Sequence, residues 1–69
     1  MTKIEVFDEH GALIASMETS SYKAGKRMSV WAGIAQRKLD KLIAANPGAV
    51  TGAIGRSKFT VRNGRSQAI

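Results

Sequence analysis

Apolar and polar residues alternate at the start of the chain. Lys3-Ile4-Glu5-Val6 steps with the two-residue period of a strand. Ile4 and Val6 are therefore expected to face a core, and Lys3 and Glu5 to face water. Asp8-Glu9-His10-Gly11 supplies turn residues, with Gly11 able to take positive φ. Ala12 to Met17 then returns as a second strand with Leu13 inward, so residues 1–18 are expected to form a β-hairpin. After a polar connector from Thr19 to Met28 the period changes. Val30, Trp31, Ile34, Ala35, Leu39, Leu42 and Ile43 recur at the 3.6-residue spacing of a helix, with Gln36, Arg37, Lys38, Asp40, Lys41 and Ala44 mostly on the other side. Ser29 is the expected N-cap. Asn46-Pro47-Gly48 is the expected stop, because the residue before proline avoids the α region. An amphipathic helix is thus predicted over 29–46, with Trp31 in the core and its indole N–H partnered.

Residues 48–57 are poor in helix and strand formers and carry glycine at 48, 52 and 55, which suits a loop. Lys58-Phe59-Thr60-Val61-Arg62 alternates again, and Asn63-Gly64 is a strong signal for a two-residue hairpin turn. Such a turn sets Arg62 opposite Arg65, Val61 opposite Ser66 and Phe59 opposite Ala68. Lys58, Thr60 and Arg62 then point outward from a basic hairpin over 56–69. The fold expected is α+β: one small domain in the order ββαββ, with a core of Ile4, Val6, Leu13, Ile34, Leu39, Leu42, Phe59 and Val61. Phe7 also fits a core position.

A length of 69 residues leaves room for one thin core, and domains of this size are marginally stable. A homodimer, formed through a free hairpin edge, is a reasonable expectation. The absence of cysteine excludes disulfides, thiolate zinc sites and cysteine nucleophiles, and a single histidine excludes a multi-histidine metal site within one chain. Unbroken apolar runs reach only four residues, as in Ala12 to Ala15, and Glu5 interrupts any signal-like start. A cytoplasmic protein with no membrane association is expected.

Charge changes the picture most. The net charge is +6 and the isoelectric point about 10.4. Residues 1–18 hold Glu5, Asp8, Glu9 and Glu18 against Lys3, or −3, while residues 19–69 hold ten bases against Asp40, or +9. This asymmetry implies a basic working surface and an acidic rear.

Catalytic chemistry finds little support. Asp8, His10 and Ser16 are the residue types of a triad, but the first two fall in a turn that neither desolvates nor orients an imidazole. Glu5, Asp8 and Glu9 lack the spacing of a calcium loop. Gly55-Arg56-Ser57 would need glycine at position 50 to approach a phosphate loop, and that residue is Val50. No enzyme activity, cofactor, metal or small-molecule substrate is expected.

Nucleic-acid binding finds more. One arrangement is a helix-turn-helix, with its turn at Gly48-Ala49-Val50 and a recognition helix from Thr51 presenting Arg56 and Lys58; Pro47, Gly52 and Gly55 oppose it. The other is the C-terminal hairpin. Arg56, Lys58, Arg62 and Arg65 lie within ten residues that contain no acid, and a two-stranded ribbon fits the major groove. Lys23, Lys26 and Arg27 in the connector would add a second patch. The function expected is a non-enzymatic basic protein contacting the phosphate backbone of nucleic acid, or a nucleic-acid-containing complex, through Lys23, Lys26, Arg27, Arg56, Lys58, Arg62 and Arg65. The alternative rests on an analogy of size and composition. Short, cysteine-free basic chains are typical of phage-like mobile-element accessory products, including inhibitors that cover an acidic or functional surface of a partner protein such as a host defence complex.

Overall fold

The computed structural model describes residues 1–23 and 27–69. Its elements are β1 (Thr2–Phe7), β2 (Leu13–Thr19), α1 (Met28–Ala45), β3 (Thr51–Ile54), β4 (Ser57–Arg62) and β5 (Arg65–Ala68). The five strands form one antiparallel sheet in the order β2-β1-β3-β4-β5, and α1 packs on one of its faces. The class is α+β as expected, with one strand more: ββαβββ.

That extra strand, β3, corrects the expectation for residues 48–57, which form neither a loop throughout nor a recognition helix. Its sequence, Thr-Gly-Ala-Ile, is a weak strand former. Tertiary demand overrides the local preference. β1 has a second side of backbone groups to satisfy, and β3 supplies partners in register from Ile4↔Ile54 to Phe7↔Thr51. Gly52 lies directly beneath Leu39, where a Cβ would sit 2.9 Å from Leu39 Cδ1.

The two outer hairpins are closed by local chemistry. Asp8 Oδ1 accepts from the backbone N–H groups of His10 (2.8 Å) and Ala12 (3.0 Å), and Gly11 takes φ 78°. Asn63 and Gly64 both have positive φ, 52° and 75°, the geometry of a primed turn matched to strand twist. The β4–β5 register is the one its two residues demand, with Arg62↔Arg65, Val61↔Ser66 and Phe59↔Ala68.

Helix α1 begins at Met28 with Arg27 as a cap that makes no side-chain bond, so Ser29 lies inside the first turn rather than at the N-cap. Its C-terminus is closed by Asn46, whose Nδ2 donates to the Leu42 carbonyl at 2.8 Å. Ala35, Leu39 and Ile43 meet Ile4, Val6, Ala49 and Ile54 in the core, with Trp31, Leu42, Phe59 and Val61 packed around them. The Trp31 indole N–H donates to the Ser20 carbonyl at 2.6 Å.

Three expected core residues lie elsewhere. Leu13 is 53% exposed because Ile14 is an extra residue in a β-bulge, which sets Leu13 opposite Phe7. Phe7 itself is half-buried on the face away from the helix, one strand step from buried Val6. Ile34 is 47% exposed on the flank of α1. Among the described residues no helix is long and apolar enough to cross a membrane.

Candidate nucleic-acid interface

Among the described residues α1 covers one face of the sheet, so strand alternation sorts the side chains into two sets. Ile4, Val6, Gly52, Ile54, Phe59, Val61 and Ser66 belong to the helix-covered set. Their neighbours along each strand form an open face. Register lines these up in rows across the sheet. Glu18 sits opposite Lys3; Ser16, Glu5, Ala53 and Lys58 form the next row; Leu13, Phe7, Thr51, Thr60 and Gln67 the next; Arg62 and Arg65 the last.

The open face is thus bipolar. Its β1–β2 half carries Glu5 and Glu18 beside Lys3, and its β4–β5 half carries Lys58, Arg62 and Arg65 with no acid. Small residues on β3 leave a hollow of about 380 Å³ between the halves, bounded by Glu5, Phe7, Thr51, Ala53, Lys58 and Ile69. Lys58 and Arg62 are two side-chain steps apart on β4, about 13 Å. Arg62 and Arg65 are directly opposed, a placement in which like charges repel. Among the described residues the one carboxylate–base pair joins Glu9 and His10, at 3.5 Å and well exposed. The arginines therefore repel one another with no carboxylate of their own to relieve them.

The other expected cations lie apart from this surface. Arg56 occupies the exposed turn between β3 and β4. Lys23 and Arg27 line a groove of about 420 Å³ on the helix side, together with Ser20, Ser21, Val30, Trp31 and Ile34. Lys26 lies outside the described residues. Thr60 and Gln67, paired between Lys58 and the two arginines, add polar groups to the ribbon. Gln67 was reachable from the sequence, because a two-residue turn at Asn63-Gly64 fixes its partner.

Asp8 is engaged with backbone N–H groups and the His10 ring stands exposed, so no oriented imidazole is assembled there. Among the described residues no cluster of three acidic or histidine side chains could hold a metal ion. The chain matches no family model, no curated protein and no solved structure. Its chemistry has to be read from its own residues: a cationic ribbon with hydrogen-bonding side chains between the charges.

Proposed function

We propose that this protein is a non-enzymatic binding module that takes the phosphate backbone of nucleic acid on the β4–β5 half of its open face. Lys58, Arg62 and Arg65 are the contacting cations, with Arg56 at the adjoining turn. The observation that carries this reading is the opposed Arg62–Arg65 pair without a carboxylate partner. Two guanidiniums held side by side gain most from a ligand that carries closely spaced negative charge, and arginine forks match phosphate oxygens.

Binding of a labelled DNA duplex, followed by fluorescence anisotropy over a range of salt concentrations, tests it. Four neutralised phosphates give a slope of log affinity against log salt of about −3.6. Arg62→Gln and Arg65→Gln are each expected to weaken binding for all sequences alike and to reduce the slope by about 1. An affinity that stays flat with salt rejects the proposal.

One observation favours a second reading, an adaptor or inhibitor of the kind made by mobile elements that covers an acidic surface on a partner protein. The acidic β1–β2 half of the open face repels a long polyanion lying across the whole sheet, whereas a compact acidic patch needs only the basic half. A protein partner retained after nuclease treatment, and lost in the Arg62→Gln variant, selects this reading over the first.

A further inference from the structure

The sheet has two borders, and the chain treats them differently. At β5 the Ser66 N–H donates to Asp40 Oδ1 at 2.9 Å, and the Ser66 carbonyl accepts from Gln36 Nε2 at 3.2 Å. The Ser66 hydroxyl donates to the same carboxylate oxygen at 2.7 Å. Side chains from α1 thus occupy the outward backbone donor and acceptor of Ser66, which an incoming strand would need.

β2 forms the other border. The carbonyls of Lys3 and Phe7 accept from Gly55 and Val50, on the β3 side of β1. Alternation then turns Thr2, Ile4 and Val6 toward β2, against Thr19, Met17 and Ala15. The backbone N–H and C=O groups of Ser16 and Glu18 point outward, and no described side chain bonds them. No lysine or proline guards the stretch from Ala15 to Thr19, and the bulge at Ile14 lies outside it.

The helix adds a second feature on the same side. Lys38 Nζ donates to Thr19 Oγ1 at 3.0 Å, so the flank of α1 that carries Lys38 overlies this border. Ile34 is one turn earlier on that flank and Val30 one turn before it. They are 47% and 55% exposed. Among the described residues, an open strand edge and two exposed apolar helix side chains therefore lie side by side.

We propose that this side of the molecule is a two-fold interface, in which β2 pairs antiparallel with β2 of a second copy and the partner covers Ile34 and Val30. A second copy fits better than a foreign strand. A two-fold sets both helices on one side of the seam, so Val30 and Ile34 of each copy face those of the other, in a groove whose rim Lys23 and Arg27 also line. Pairing about Ser16 sets Ala15 opposite Met17, and brings Glu18 to the bulge at Ile14 rather than to a second Glu18, so no like charges are opposed. Each chain carries +6, and copies that meet at β2 hold their basic β4–β5 hairpins at opposite ends of a ten-stranded sheet, so repulsion between the hairpins is weakest, while among the described residues Lys23, Arg27 and Lys38 lie near the seam.

Sedimentation equilibrium from micromolar to millimolar protein tests the proposal. The mass is expected to rise with concentration from 7.4 kDa toward twice that value. Amide exchange at Ser16 and Glu18 should slow over the same range. Ser16→Pro removes an outward N–H that an edge strand can spare, and is expected to give a monomer with unchanged circular dichroism. Ile34→Lys buries a charge at the seam and is expected to raise the dissociation constant roughly tenfold or more with the fold intact. A wild-type chain that stays monomeric throughout, including one that binds an added peptide strand as a monomer, overturns the proposal. So does a dimer that Ile34→Lys leaves unchanged while the Ser16 and Glu18 amides exchange freely.

Discussion

Gly52 and Gly33 look alike in the sequence, each a glycine followed by an apolar residue, and the structure gives them opposite meanings. A Cβ at Gly52 would lie 2.9 Å from Leu39 Cδ1 and 3.3 Å from Cδ2, and Leu39 is fully buried with nowhere to retreat. Gly52→Ala is expected to cost about 1–3 kcal/mol by overpacking, read as a lower midpoint of denaturant unfolding. Unchanged stability would show that Leu39 repacks freely. Gly33 lies inside α1 with nothing within 4 Å of a built Cβ. Gly33→Ala is expected to stabilise by about 1 kcal/mol, a gain of several degrees in thermal midpoint, because only backbone entropy changes. Neither sign was legible in the sequence, since the deciding quantity is the distance to a residue on another element.

Elements with a strong internal period were legible, and those held by partners were not. The 3.6-residue spacing from Val30 to Ile43 located α1, and Asn63-Gly64 set the last hairpin residue by residue. The helix start was misplaced because Ser29 resembles a cap while Arg27, which makes no side-chain capping bond, occupies the position. β3 escaped notice because Thr51-Gly52-Ala53-Ile54 has no preference strong enough to announce a strand; β1 recruits it. β5 is an extreme case, a four-residue strand, Arg-Ser-Gln-Ala, anchored to the helix through Ser66. Asp40→Ala leaves the part-buried Ser66 N–H without its acceptor and is expected to cost about 1–3 kcal/mol. Faster amide exchange confined to β4 and β5 would identify the loss with this joint; uniform loss across the sheet would not.

At the scale of the molecule, the charge division along the chain survives as a division across one surface. Residues 1–18 supply the acidic half of the open face and β4–β5 the basic half, because β1 and β4 flank β3. The ribbon cations Lys58 and Arg62 were legible from two-residue alternation alone. The separation of Lys23 and Arg27 from them was not, since the connector leads to the helix side and the ribbon looks out from the other. The treatment of Ser66 carries a further consequence. A sheet with both borders open can recruit chain after chain into a fibre. Here Gln36 and Asp40 stand in for a missing neighbour at Ser66, in the middle of a four-residue border strand, which disfavours growth from that border and with it the open-ended stacking a filament requires.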